Sequence, residues 1–213
     1  MDVRKQSRRR VKKPELSPGE LWNHPALDRR PVIVAVAGPN GAGKSTFYEA
    51  HLKPVGLRFL NADVLARELG MDAYQAAAVA AKVRAELVSQ RISFVFETVF
   101  SDPVGDKLTF LRAAAAQGYS VVLCYIGIAG VERSEERVAM RVSQGWHDVP
   151  TEKLASRYPR TLANLKRAIR ELPLVAVFDN NDLARPFRLA GLFTDGKRTH
   201  SPGRDPGWLK TVL

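Results

Sequence analysis

Three observations predict an α/β fold in which a parallel sheet is flanked by helices on both faces. Short apolar or β-branched runs alternate with helical stretches from residue 32 to residue 193. The first run, Val32-Ile33-Val34-Ala35-Val36-Ala37, opens directly into Gly38-Pro39-Asn40-Gly41-Ala42-Gly43-Lys44-Ser45, with Thr46 opening a helix behind it. Two carboxylates, Asp63 and Glu97, follow the second and third runs, at the strand ends where such sheets bind ligands. The class is the P-loop nucleotide-binding type.

Each element has its own signal. Residues 14–31 carry Pro14, Pro18, Gly19, Pro25 and Pro31 and read as a loop-rich lead-in. Strands are predicted at 32–37, 57–60, 92–96, 119–126, 174–178 and 187–193, each short and apolar or β-branched. Helices fill the gaps at 44–52, 63–69, 72–90, 103–117, 131–143 and 151–171. The Ala73–Gln90 stretch is alanine-rich with few breakers. An α/β domain is thus expected over 32–195, with a basic tail and lead-in at 1–31 and a basic tail at 196–213.

Charge and cysteine content exclude other classes. The formal net charge is +11, but residues 1–13 hold seven basic side chains against Asp2, and residues 196–213 hold four against one. The intervening body has 22 basic and 20 acidic residues, so polyanion binding belongs to the terminal arms, which are expected to be solvated tails. No apolar run has membrane-spanning length, and the charged start has no apolar stretch behind it to make a secretory signal. Cys124 is the single cysteine, so no intrachain disulfide forms, and a cytoplasmic setting is expected.

The phosphate loop implies a bound nucleoside triphosphate. Gly38, Gly41 and Gly43 let the backbone wrap phosphates, with Pro39, Asn40, Ala42 and Thr46 completing the segment. Lys44 is expected to reach the β- and γ-phosphates and the Ser45 hydroxyl to ligate Mg²⁺. Glu97 resembles the acidic strand end that orients the metal. Asp63 is read either as a proton acceptor for a hydroxyl or as the N-cap of the helix it begins. Arg133, Arg137 and Arg141 recur every four residues, and Arg157 and Arg160 follow. They either neutralise charge on a transferring phosphoryl group or form a solvated face paired with Glu132, Glu135 and Glu136. His147 alone does not make a zinc site.

Taken together, these residues resemble the zeta-toxin-like P-loop kinases in their short, stand-alone branch. The carrying segments run from Ala37 to Thr46, Phe59 to Asp63, Phe96 to Ser101, Gly118 to Leu123, Arg137 to Val142 and Gly145 to Pro150, then Arg157 to Arg160, Asn164-Leu165 and Phe178 to Asn180. The resemblance implies a five- or six-stranded core with a helical lid at about 129–160. It implies transfer of the ATP γ-phosphate to a sugar hydroxyl, UDP-N-acetylglucosamine being the family's best-known acceptor, and an antitoxin protein as a possible partner. Asp63 then corresponds to the catalytic aspartate, and Glu97 and Thr98 to the segment contacting acceptor or metal. Arg141 and Arg157 correspond to arginines near the ATP phosphates, with Arg137 and His147 as weaker candidates. Trp146 stands where members usually have glycine, which bears on the acceptor. Two alternatives remain open at this point: a polynucleotide or RNA kinase or repair ATPase, and an ATP-binding toxin or sensing module without turnover in isolation.

Overall fold

The computed structural model describes Leu21 and residues 24–143, 149–201 and 203–213. After a short helix α1 (Pro25–Asp28), β1 (Val32–Ala37) runs through the centre of the sheet with all six residues buried. Helix α2 (Lys44–Phe47) continues through a π turn (Tyr48–Leu52) and a 3₁₀ turn (Lys53–Val55) into β2 (Arg58–Leu60). Then come α3 (Ala62–Leu69), α4 (Ala73–Ser89), β3 (Phe94–Thr98), α5 (Asp106–Ala116) and β4 (Ser120–Gly127). The helical pair α6 (Gly130–Val142) and α7 (Thr151–Glu171) precedes β5 (Leu174–Asp179), β6 (Arg188–Thr194), β7 (Lys197–His200) and α8 (Gly207–Lys210).

The sheet has seven strands in the order β2-β3-β1-β4-β5-β6-β7. The first five in that order are parallel, whereas β6 and β7 pair antiparallel with their neighbours. The chain passes from β1 to β2 and β3 on one side and then crosses to β4 on the other, so a crevice opens at the carboxyl end of β1. Side-chain alternation splits the core in two. One face carries Ile33, Phe94, Phe96, Leu108, Leu111 and Leu165, and the other carries Val34, Val36, Phe47, Leu52 and Phe178.

Local chemistry accounts for the helices nearest the crevice. Asn61 caps α3 by accepting a hydrogen bond from the Asp63 amide at 2.8 Å. Asp72 and Gln75 form a reciprocal capping box that starts α4. Helix α7 runs through Pro159. Among the described residues no helix is long and apolar enough to cross a membrane.

Three expectations change. Strand β3 extends to Thr98 because Val36 and Ala37 of β1 pair with Glu97 and Thr98, so both residues lie in the strand rather than beyond it. The core has seven strands, not five or six. The basic tail expected at 196–213 is not simply solvated: Trp208, Leu209 and Val212 are buried in the core and Arg198 is paired with Asp205. The N-terminal tail, together with Trp146 and His147, lies outside the described residues.

Candidate functional site

The phosphate loop is shaped by close approach on all sides. At Gly38, φ is 146° and a Cβ would stand 2.1 Å from the Ile126 carbonyl oxygen. Gly43 has φ 89°, and a Cβ there would stand 2.8 Å from the Asn180 amide nitrogen. Only glycine meets both demands. Side chains from two later elements hold the loop. The buried Ser134 of α6 donates to the Asn40 carbonyl at 2.7 Å, and the buried Asn180 donates to the Ala42 carbonyl at 2.8 Å. Asn180 also accepts from the Phe187 amide, tying the loop to the start of β6.

A polar cluster forms where β1, β2 and β3 end. Lys44 is 7% exposed; its Nζ donates to the Pro39 carbonyl at 3.1 Å and stands 3.9 Å from Glu97 Oε1. Glu97 Oε2 accepts from the Ser45 hydroxyl at 2.9 Å and from the Asn61 amide at 3.0 Å. Burial lowers the Lys44 pKa from its ordinary value of 10.5. Glu97 and Asp63 act to keep its proton, while Arg141 and Arg157 act against it. Four charged groups from four parts of the chain therefore act on one buried ammonium.

The structure separates the sequence candidates. Asp63 is exposed in the first turn of α3, and Asn61 performs the capping, so the N-cap reading of Asp63 is overturned. Thr46 is exposed at the opening of α2. Thr98 accepts from the Phe100 amide at 3.1 Å, ordering the turn after β3. Arg133 pairs with Glu136 on the surface, as the solvated-face alternative expects. Arg137 donates to the carbonyls of Asn180 and Asn181, at 2.7 and 3.3 Å, which makes it a brace between α6 and the β5 loop. A four-residue step advances a helix by about 40° beyond a full turn, so the three arginines diverge rather than share one target.

Sequence reasoning missed Asn61, Ser134 and Asn180. Asn61 alone left a signal, an asparagine immediately before a helix. The hydroxyl of Ser45 and the carboxylate of Glu97 are hard oxygen donors in contact, a pair suited to Mg²⁺ that keeps waters and phosphate oxygens as its other ligands. Among the described residues no set of three or more His, Cys, Asp or Glu forms a self-sufficient metal cluster.

Comparison with known proteins agrees with this geometry. A family profile described as an AAA domain matches residues 33–166. No curated protein matches the sequence. The structure of the AvrRxo1-ORF1:AvrRxo1-ORF2 complex with sulphate ions is similar at TM-score 0.66 and 18% identity, over 86% of this chain and 63% of that one. The same pair with ATP gives TM-score 0.63 and 19% identity, over 80% and 60%. The PezAT chromosomal toxin–antitoxin system of Streptococcus pneumoniae gives 0.53 and 16%, over 71% and 68%. The chain thus spans under two-thirds of the length of the AvrRxo1-ORF1:AvrRxo1-ORF2 chains it matches. The fold is that of the zeta-toxin-like P-loop kinases which the sequence resembles.

Proposed function

The chain belongs to the AAA domain family, and from that premise we propose that it is an ATP-dependent phosphotransferase acting on a small-molecule hydroxyl. The proposed acceptor is a nucleotide-sugar such as UDP-N-acetylglucosamine. The observation that carries this reading is the polar cluster at the phosphate loop, where Glu97 accepts from Ser45 and Asn61 and stands 3.9 Å from the buried Lys44 ammonium.

The roles follow from position. Backbone amides of the phosphate loop and the Lys44 ammonium hold the β- and γ-phosphates, and in doing so Lys44 gains the counter-charge that burial denies it. Ser45 and Glu97 would hold Mg²⁺, which when bound neutralises charge on the β- and γ-oxygens. Asn61 keeps the Glu97 carboxylate oriented. Asp63 accepts the proton of the attacking hydroxyl, whose own pKa is far above neutrality, a contribution of about 10²–10⁴-fold. Arg141 and Arg157 stabilise charge on the group in transit. Antitoxin binding belongs to this proposal by fold likeness alone.

The test is a labelled-ATP transfer screen over nucleotide-sugars, free sugars and oligonucleotides, with wild type and Asp63→Asn side by side. Transfer to a nucleotide-sugar that disappears in Asp63→Asn supports the reading. Transfer to oligonucleotides alone replaces it with a polynucleotide kinase.

A further inference from the structure

Arg84 of α4 is a cation that the site above does not use. Its guanidinium carbon stands 5.1 Å from the centroid of the Phe96 ring and 5.6 Å from that of Phe110. The residue is half-buried, and its Nε is shut off from solvent without a hydrogen-bond partner. Burial lowers its pKa, and no carboxylate among the described residues opposes that effect. Among the described residues two other arginines lie over rings, and although the Arg198 Nε is likewise without a partner, each has an oxygen acceptor on its guanidinium. Arg91, over Tyr119, donates to the Gln117 carbonyl, and Arg198, over Phe193, pairs with Asp205. Ring stacking alone offsets only part of the desolvation of a guanidinium. A cation held this way without an internal partner has its binding capacity to spare.

Its place says what kind of group completes it. Phe96 is the central residue of β3 and directly precedes Glu97, so Arg84 lies over the middle of that strand, below its carboxyl end. Alternation puts Phe96 and Thr98 on one face of β3 and Glu97, with Lys44 and Ser45, on the other. Helix α4 starts after the turn that follows α3, and its side chains tilt toward that start, at the ligand-binding edge. A triphosphate on the phosphate loop is therefore served from the opposite face of β3. Arg84 answers to a second anion.

We propose that Arg84 binds an oxyanion, phosphate or carboxylate, on the molecule that receives the phosphoryl group, an assignment that rests on the kinase reading for the word acceptor but not for the anion site itself. The planar guanidinium fork suits either group through paired hydrogen bonds. An uncharged free sugar leaves Arg84 unanswered, whereas the diphosphate of a nucleotide-sugar satisfies it.

The experiment reads binding without turnover. The full chain carrying Lys44→Met, which silences the phosphate loop, is titrated with inorganic pyrophosphate and with malonate while its melting temperature is followed. Stabilisation by either anion, weakened about tenfold or more when Arg84→Met is added, is the expected result. Absence of stabilisation by both anions, or equal stabilisation with and without Arg84, overturns the proposal. Arg84→Met keeps the stem and removes a buried charge, so it should melt at or above its parent. If it does not fold, Arg84→Lys replaces it; the lysine keeps the charge but loses the fork, and undiminished anion binding there equally overturns the proposal. If the anions bind through Arg84 while no acceptor is phosphorylated by the wild type, the kinase reading fails and the anion site stands.

Discussion

Lys44 is held nearly out of water before any phosphate arrives, with one carbonyl and one distant carboxylate oxygen as company. Its lowered pKa means that the folded chain holds this proton less tightly than the unfolded chain does. The cost is fully present below the folded pKa and is relieved as pH rises through it toward 10.5. Lys44→Met should therefore melt at or above the wild-type temperature without ligand, with the gain shrinking toward alkaline pH, while losing stabilisation by Mg-ATP. A variant that melts well below wild type, or that still responds to Mg-ATP, contradicts this account of the loop. Asp63 gives the complementary case. Because Asn61 caps α3, Asp63→Asn costs only the charge at the helix start, about 0.3–1 kcal/mol. Transfer should nevertheless fall by about 10²-fold or more, since an amide cannot take the hydroxyl proton. Steady-state transfer rates and melting curves on the same preparation check both halves. Lys44, Ser45 and Glu97 were legible in the sequence because their spacing is set by one local turn and the strand beside it. Asn61, Ser134 and Asn180 were not, because each acts on a segment remote in sequence that only the fold brings near.

At the scale of elements, α6 is bolted down at its first two turns. Ser134 reaches the phosphate loop and Arg137 reaches the β5 loop, while Tyr158 of α7 donates to the Ile128 carbonyl and accepts from the Gly130 amide at the base of α6. The arginine repeat in this helix looked uniform in sequence, yet its members divide by function because the helix turns between them. Arg137→Ala should lower stability, since a charged donor to two carbonyls is lost, by about 1.5–3 kcal/mol. Arg141→Ala and Arg157→Ala, both at half-buried side chains, should instead lower transfer strongly and melting temperature less than Arg137→Ala does. Kinetics and melting for the three variants decide it. Wild-type transfer in both Arg141→Ala and Arg157→Ala would return those residues to a solvated face. The strand positions were readable from apolar runs alone, but the end of β3 was not. Pairing with β1 carries the strand through Glu97 and Thr98, polar residues that a local reading places outside it.

Over the whole molecule, the charge count misled about the C-terminal segment. Four basic residues against one acidic suggested a tail, but burial depends on which side chains lie between the charges, and Trp208, Leu209 and Val212 are apolar. The Trp208 ring occupies the space that a Cβ on Gly127 would fill, at 2.1 Å, and its Nε1 donates to the buried Asp179 at 2.9 Å. Arg188 holds the other Asp179 oxygen at 3.3 Å. The next residue, Asn180, is one of the two side chains that grip the phosphate loop. The last helix thus reaches the site through two successive residues at the end of β5. Trp208→Ala removes a large buried ring and leaves Asp179 with one partner fewer, a change that typically costs about 3–5 kcal/mol. For a chain of this size that amounts to a fall in melting temperature of roughly 6–20 °C, at about 2–4 °C per kcal/mol. Mg-ATP binding should weaken alongside it, because the Asn180 grip loosens. Deleting residues 1–13 should change neither quantity, since seven of these side chains are basic and only Met1, Val3 and Val11 are apolar. Thermal melts of the two variants with and without Mg-ATP separate the cases. If Trp208→Ala melts like the wild type, the C-terminal helix is dispensable and its link to the phosphate loop is refuted.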